Sequence, residues 1–340
     1  MRFATLVLAG LLLPTAASAQ EPTLSPNKPD EAKAEKMSIR RAADFLDGAA
    51  VAWTRKKNCG SCHTNYAYLI ARPDLPGAGN STETEVRKFF EKRAANWDTE
   101  KPRWDTEVVM TAAVLAFHDA RTTGKLNPLS RQALDRMWTL QREDGAWNWL
   151  KCGWPPLEHD DYYGVTIAAI GVGNAPENYA GADSAKEGVA KLRKYFADHP
   201  APDMHHRAML LWGSLHLDGL MTKKEQQETI DKLLALHRPD GGWSLASLGD
   251  YKRHDDTPNP KDGPSDGYGT GLVIYVLRQA GVSADHDKIK AGIAWLQANQ
   301  RVSGRWFTRS LSNDEHHYIT HISTAYAAMA LKACDVKVEE

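Results

Sequence analysis

Apolar residues recur at helical spacing along most of the chain, and two kinds of helical segment alternate. Segments with one apolar and one polar face predict amphipathic helices over about 38–56, 84–96, 127–141, 184–197, 222–237 and 286–299. Segments that are apolar nearly all round predict buried helices over about 63–71, 106–120, 161–172, 204–217, 267–281 and 318–334. No convincing alternation of apolar and polar residues, as expected for a strand, interrupts this order.

The two kinds of helix predict antiparallel pairs, and six such pairs can close into a ring. The apolar helices would lie inside and the amphipathic helices outside. The predicted fold class is therefore all-α, an (α/α)6 toroid, formed by a single domain over 37–336. An open solenoid of helix hairpins predicts the same pairs with a weaker central cavity. In a ring all inner helices run parallel, so the loops that lead from an outer to an inner helix open on one face.

A turn of similar sequence follows the amphipathic helix in three of the pairs. It is a Gly turn that carries a Trp, at 144–147 (Asp-Gly-Ala-Trp), 240–243 (Asp-Gly-Gly-Trp) and 303–306 (Ser-Gly-Arg-Trp). Gln141 and Gln297 precede two of these turns at the end of the amphipathic helix. The recurrence indicates a repeat of helix pairs along the chain.

These turns resemble the Gln-Trp repeats of squalene–hopene cyclases and of related terpenoid cyclase and prenyltransferase toroids. Segments 265–271 (Ser-Asp-Gly-Tyr-Gly-Thr-Gly) and 322–326 (Ile-Ser-Thr-Ala-Tyr) also resemble the starts of inner helices in that group. The resemblance covers roughly 125–334 well and the earlier part weakly. It implies the toroid fold. One toroid hosts unrelated functions, so it implies no single activity.

Two features depart from that group. Its class II cyclases protonate their substrate with an Asp-x-Asp-Asp motif, whereas the nearest runs here are His-Asp-Asp at 159–161 and at 254–256. Those cyclases also carry two helical domains and attach to the membrane, whereas this chain has the length for one. The resemblance therefore does not carry squalene cyclisation over to this chain.

The first repeat has a different turn, Cys59-Gly60-Ser61-Cys62-His63. In an exported protein, C-x-x-C-H is the signature for c-type haem attachment, with two thioether bonds and an axial imidazole. We therefore expect a covalent haem c on Cys59 and Cys62, with His63 as an axial ligand, at the toroid mouth. The expected function is electron transfer or a redox reaction, with a redox partner protein. An exposed redox pair, a local disulfide or half of a zinc site would use the same residues.

Cys152 provides the zinc alternative. It follows the third amphipathic helix, so its loop is expected on the same face as Cys59 and Cys62. Three thiolates with His63 or His159 would make a Cys3His zinc site. The phase of the repeat predicts that these three cysteines converge near the mouth, while the fourth cysteine, near the end of the last inner helix, stays away.

The alternative function is a non-redox enzyme, a lyase, isomerase or hydrolase that acts on a lipid or polysaccharide. The catalytic candidates are His159, Asp160 and Asp161, because paired acids near a helix start can have separated pKa values. The same acids can also simply cap the helix. A small-molecule, lipid or saccharide ligand in the toroid mouth is expected in either case. A third alternative is a binding module without chemistry. For a haem, the distal ligand would be absent or would come from His159, His254, His316 or His317.

The N-terminus has the features of a targeting segment. Residues 1–20 combine Arg2, an apolar core and a small-residue cleavage site, which predicts a signal peptide and a secreted, periplasmic protein. The polar, Pro-containing segment 21–36 predicts a disordered leader. No later stretch reaches the roughly 18 apolar residues that a membrane span needs. The 42 basic and 43 acidic residues nearly cancel, which argues against a nucleic-acid partner bound by bulk charge.

Overall fold

The structure is a computed structural model that describes residues 24–312 and 319–336, and these residues form helices without a β-strand. The outer helices are α1 (Ile39–Lys57), α3 (Ser81–Asn96), α5 (Pro128–Thr139), α7 (Asp183–Asp198), α9 (Lys223–Ala235) and α12 (Asp287–Asn299). The inner helices are α2 (Asn65–Ala71), α4 (Asp105–Thr122), α6 (Asp161–Asn174), α8 (Met204–Ser214), α11 (Gly267–Gln279) and α13 (Ile319–Ala333). One short helix, α10 (Leu245–Leu248), lies in the loop between α9 and α11.

The inner helices close into a ring. Each packs against the next in the order α2, α4, α6, α8, α11 and α13, and α13 packs against α2. The first and last inner helices of an open solenoid would lie far apart, so this contact excludes the solenoid alternative. The prediction of an all-α toroid of helix pairs is confirmed. In the described part of the chain, no helix is long and apolar enough to cross a membrane.

Acidic residues begin three of the inner helices on the same face of the ring. Asp160, Asp203 and Asp266 are the N-caps of α6, α8 and α11, and each carboxylate accepts a hydrogen bond from the backbone N–H three residues later, at 3.0, 2.9 and 2.8 Å. A carboxylate at this position satisfies an orphan N–H and opposes the positive end of the helix dipole. The capping rule therefore places acidic side chains around one mouth of the toroid.

The Trp of each Gly turn anchors its repeat in the same way. Trp147, Trp243 and Trp306 are fully buried, and the indole N–H of each donates to the backbone carbonyl ten residues earlier. The distances are 2.9, 2.7 and 2.7 Å. That carbonyl lies in the last turn of the outer helix, where backbone acceptors lack the regular helical partner; those of Met137 and Leu233 also accept the backbone N–H three residues later at 3.2 Å. The repeated Trp is therefore a structural element that ties an outer helix to the turn after it.

The segment predicted as a disordered leader has defined contacts where the structure describes it, from residue 24 onward. Glu31 accepts hydrogen bonds from Arg305 Nε at 2.6 Å and from the backbone N–H of Ser303 at 2.9 Å. The backbone N–H of Ala34 donates to the carbonyl of Gln300 at 2.8 Å. Residues 24–36 thus pack across the last Gly turn. The predicted signal peptide, 1–20, lies outside the described residues.

Candidate functional site

A narrow cavity with a free volume of about 20 Å³ lies inside the ring. Its walls come from five of the six inner helices and are almost entirely apolar, and they include Ile70, Met110, Phe117, Ile167, Trp212 and Met329. Cys62, Tyr163 and Tyr326 are the lining residues that carry a thiol or a hydroxyl group. The free volume of about 20 Å³ is close to that of one water molecule, so an organic ligand enters this cavity only when the lining side chains move apart.

The loop between α5 and α6 approaches the cavity wall at Cys62. Its backbone closes on itself, because the N–H of Cys152 donates to the carbonyl of Glu158 at 2.9 Å. The side chain of Glu158 lies close enough to the thiols of Cys152 and Cys62 to interact with both. Since Cys62 lines the cavity, the Glu158 carboxyl lies beside a residue of the cavity wall without being part of the lining itself.

The surroundings of Glu158 favour its protonated form. Burial raises the pKa of this carboxyl above its usual range, and the hydrogen bonds from the two thiols offset only part of that rise. Burial also raises the pKa of Cys62 and that of Cys152, so both thiols favour the protonated state in which they can donate. A carboxyl group whose pKa is raised by burial therefore lies beside the cavity residue Cys62.

Most of the C-x-x-C-H segment is buried in the fold. Cys62 and His63 are 4% and 6% exposed, whereas Cys59 is half-buried. The His63 ring lies edge-on to Trp53, and its Nδ1 is 2.8 Å from the Thr64 hydroxyl. The predicted approach of Cys62 and Cys152 is present through their shared partner, Glu158. Among the described residues, however, these cysteines do not form a group of three ligands close enough to hold one ion. The cysteine zinc site stays a prediction.

The predicted catalytic run His159-Asp160-Asp161 begins helix α6. His159 is exposed. Asp160 lies 3.1 Å from His206 Nε2, and although burial acts in the opposite direction, the hydrogen bond and positive charge of His206 hold the pKa of Asp160 below its usual range. Asp161 forms ion pairs with Arg142 and Lys151, both at 2.9 Å. Both acids are thus engaged with cationic groups, and their catalytic assignment stays a prediction.

A polar cluster that sequence analysis did not select lies beside them, at the start of α8. His206 sits between two carboxylates, with Nδ1 2.7 Å from Asp203 and Nε2 3.1 Å from Asp160. Burial lowers the pKa of His206, but the two carboxylates outweigh it and raise the pKa to about 9. Burial and the neighbouring His206 lower the pKa of His205 to about 3. The two adjacent histidines therefore differ in charge. The sequence feature that could have identified this cluster is Asp-x-His-His at a helix start, residues 203–206.

The remaining residues considered as distal haem ligands are scattered. His254 Nε2 lies 2.7 Å from the Gly153 carbonyl, and its ring lies 6.3 Å from that of Trp154. The contacts of His254 are therefore with Gly153 and Trp154 in the loop between α5 and α6. His316 and His317 lie outside the described residues. Cys334 is near the end of α13, away from the mouth, as predicted.

Comparison with solved structures identifies proteins of the same architecture. An α-1,6-mannanase of Salegentibacter, an inactive variant in complex with α-1,6-mannotriose, matches 87% of this chain and 98% of its own at a TM-score of 0.54 and 11% identity. A glycosidase in complex with glucose matches 87% and 97% at a TM-score of 0.52 and 11% identity. The type II terpene cyclase MstE from Scytonema, in complex with its product merosterolic acid A, matches 87% and 96% at a TM-score of 0.50 and 13% identity. No protein-family model and no curated protein matches the sequence.

The prediction of a haem-carrying electron-transfer protein is wrong. The solved structures that share the architecture are enzymes that act without electron transfer, namely glycosidases, a mannanase and a terpene cyclase. Attachment of haem c to Cys59 and Cys62 with His63 as a ligand is a separate expectation, which the comparisons do not test, and it stays a prediction. In the structure the ring of His63 lies edge-on to Trp53 and its Nδ1 is 2.8 Å from the Thr64 hydroxyl. The expected redox partner has no support either.

The resemblance to terpenoid cyclase toroids was correct for the fold, and the comparisons extend the fold to glycosidases. Identities of 11–13% establish shared architecture and leave activity to the site itself. The described chain is an α/α toroid of the kind found in type II terpene cyclases and in toroidal glycosidases.

Proposed function

We propose that the protein is a non-redox enzyme that holds an apolar substrate of the lipid or isoprenoid class in the toroid cavity and performs acid–base chemistry at the mouth. The observation that carries this proposal is the apolar lining of the cavity together with the Glu158 carboxyl beside one residue of that lining, Cys62. The reaction classes that fit are those that begin with proton transfer, such as isomerisation, elimination or hydrolysis.

The lining of the cavity favours an apolar substrate over a saccharide. A sugar ring carries a hydroxyl on most of its carbons, and each buried hydroxyl without a partner costs about 1–3 kcal/mol. The wall supplies few polar atoms, those of Cys62, Tyr163 and Tyr326. A hydrocarbon chain instead gains roughly 0.8 kcal/mol for each buried methylene. The terpene cyclase among the structural neighbours was solved with such a ligand, a merosterolic acid.

Glu158 supplies the proton in this proposal. Burial raises the pKa of this carboxyl above its usual range, and the thiols of Cys62 and Cys152 lie beside it. The run His159-Asp160-Asp161 is the second source of acid–base groups. Asp160 and Asp161 are ion-paired, so we assign them first to helix capping and charge balance.

A second candidate substrate is a saccharide bound outside the ring. A separate cleft of about 430 Å³ lies between the loops of the last two repeats and the segment that contains Pro29 and Lys33. Trp295 and Phe307 are half-buried in its wall, and aromatic faces of this kind can stack on the apolar face of a sugar. The glycosidase and the mannanase among the neighbours were solved with sugars.

Binding of a polyene fatty acid tests the proposed ligand class. cis-Parinaric acid becomes fluorescent in an apolar site, and we expect saturable binding of one molecule per chain. The variant Ala325→Phe places a large ring in the cavity wall and should lower the affinity at least tenfold. The control variant Ala294→Phe, on the exposed face of α12, should bind as the wild type does. Equal binding by both variants, or no saturable binding by the wild type, would reject a ligand in the cavity.

A substrate screen tests the enzymatic part. We expect the wild type to convert an allylic isoprenoid alcohol such as geranylgeraniol, or a related polyene, into products that are detected by gas chromatography and mass spectrometry. Glu158→Gln should retain probe binding and lose turnover by at least a hundredfold, because an amide cannot supply the proton. Full activity in Glu158→Gln together with inactivity in Asp161→Asn would transfer the acid–base role to the run at 159–161. Release of sugar from mannan by the wild type would favour the saccharide candidate.

A further inference from the structure

The cluster at the start of α8 has the arrangement of a metal site. One ligand atom each from Asp203, His205 and His206 lie within 4.8 Å of one another, and they are the only such trio among the described residues. His205 is fully buried and His206 is 1% exposed, while Asp203 is partly exposed. Two imidazole nitrogens and a carboxylate oxygen are a usual ligand set for zinc and other divalent transition metals.

One atom of this cluster lacks a partner that its burial demands. Nε2 of His205 is 2.8 Å from the hydroxyl of Tyr268, whereas Nδ1 of the same ring has no hydrogen-bond partner among the described residues. Buried polar atoms are nearly always paired, so an orphan nitrogen in a fully buried ring needs an explanation. A metal ion would use its lone pair.

Each of the three side chains is also held at its far end. His205 is fixed by Tyr268, His206 by Asp160 at 3.1 Å, and the second oxygen of Asp203 accepts from the hydroxyl of Tyr251 at 2.9 Å. Metal-ligating histidines almost always have such an outer partner on the nitrogen that faces away from the metal. The partners come from the loop before α6, the loop before α11 and α11 itself, so the cluster ties three repeats together.

We propose that Asp203, His205 and His206 bind one divalent transition-metal ion of the zinc class at the mouth of the toroid. Nδ1 of His205, Nδ1 of His206 and a carboxylate oxygen of Asp203 would be the ligands, and the opposite atom of each side chain is already held. The ion would replace the proton that His206 Nδ1 shares with Asp203 at 2.7 Å, and that proton would be released to solvent. Three protein ligands leave a fourth position for water or another ligand. This site is distinct from the cysteines considered for zinc, and it does not depend on the substrate proposed above.

Aromatic side chains place the ion one layer behind the cavity wall. Tyr163 lines the cavity, and its ring is stacked on that of His205 at 6.1 Å. Tyr326 also lines the cavity and lies edge-on to Tyr268, which contacts His205. The ion would therefore stabilise the polar end of the cavity by fixing the start of α8 against this wall.

Metal analysis of the full chain, produced without a histidine tag, tests the proposal. After extensive dialysis we expect one zinc-class ion per chain by elemental mass spectrometry. Chelator-treated protein should take up one Co²⁺ and show the visible bands of a four- or five-coordinate site without the near-ultraviolet charge-transfer band of a cobalt–thiolate bond. A wild-type chain that retains no metal and takes up no cobalt would overturn the proposal. A strong thiolate band would overturn it as well, since the ion would then lie on the cysteines.

Variants locate the ion and separate binding from folding. His205→Gln should lose the metal, whereas His216→Gln, a partly buried histidine near the other end of α8, should keep it. Cys62→Ser should also keep it. Tyr268→Phe retains the ligands and loses only an outer partner, so its affinity should fall about 10–100-fold. If His205→Gln does not fold, the metal affinities of Cys62→Ser and Tyr268→Phe still show whether the ion is bound at the start of α8 or at the cysteines. Full affinity in Tyr268→Phe together with loss in Cys62→Ser would contradict the proposed site.

Discussion

The repeated Trp provides the sharpest test of the fold. Replacing Trp306 by Phe removes the indole N–H and leaves the Leu296 carbonyl, in the last turn of α12, without its donor at 2.7 Å. An unsatisfied buried acceptor costs about 1–3 kcal/mol, and the void left by the smaller ring adds part of the roughly 3–5 kcal/mol of a full truncation. We expect the free energy of unfolding to fall by about 2–4 kcal/mol. Trp147→Phe and Trp243→Phe break the equivalent bonds, but the Met137 and Leu233 carbonyls keep a backbone donor at 3.2 Å, so these variants should lose somewhat less, about 1–3 kcal/mol.

Urea denaturation followed by circular dichroism measures these changes. Trp104 is 47% exposed and serves as the control, for which Trp104→Phe should change stability by less than about 0.5 kcal/mol. The three buried variants should shift the midpoint without a change in slope, since the surface exposed on unfolding is the same. If the buried variants were as stable as the control, the indole N–H bonds would not anchor the repeats. A large loss in only one variant would refute the equivalence of the three turns.

Three further predictions concern other parts of the chain. Asp47→Ala removes the partner of the buried Arg72, whose Nε lies 2.8 Å from the carboxylate, and should destabilise the protein by about 3–5 kcal/mol in the same urea assay; a loss below about 1 kcal/mol would show that the pair is dispensable. Gly304→Ala should lower the thermal midpoint of unfolding, because φ is 94° at this position and a Cβ would lie 2.2 Å from the backbone oxygen of Arg41 in α1. An unchanged midpoint in calorimetry would contradict this geometry. Cys152 is exposed and Cys62 buried, so Ellman's reagent should modify the first in the native protein and the second only after denaturation, whereas equal rates would show that the mouth is open.

The helices and their arrangement could be predicted from the sequence. The alternation of amphipathic and apolar segments located all six pairs, and the observed inner helix α11, Gly267–Gln279, differs from the predicted 267–281 by two residues. The period of the hydrophobic pattern is a property of many residues at once, so local exceptions do not remove it. The phase of the repeat also predicted that Cys152 would approach Cys62. In the structure both cysteines lie beside the Glu158 carboxyl.

The chemistry of the mouth could not be predicted in the same way. The C-x-x-C-H spacing shows which bonds its residues can form, but it does not show that Cys62 turns to Glu158 and becomes buried. Glu158 belongs to no motif, and only the closed loop before α6 brings it to the cavity. The outer partners of Asp203, His205 and His206 are Tyr251, Tyr268 and Asp160, which lie more than forty residues away along the chain. Such contacts depend on tertiary packing, which the pattern of one sequence does not specify.

The location of an apolar ligand tests the central claim most directly. A crystal of the full chain grown with 12-bromododecanoic acid would show the bromine by its anomalous signal. The proposed function predicts a single strong peak inside the ring, near Ile167 and Met329, with the carboxylate end toward Cys62 and Glu158. A peak in the outer cleft beside Trp295 and Phe307 with an empty cavity would contradict the claim, and so would the absence of any bound bromine at saturating ligand.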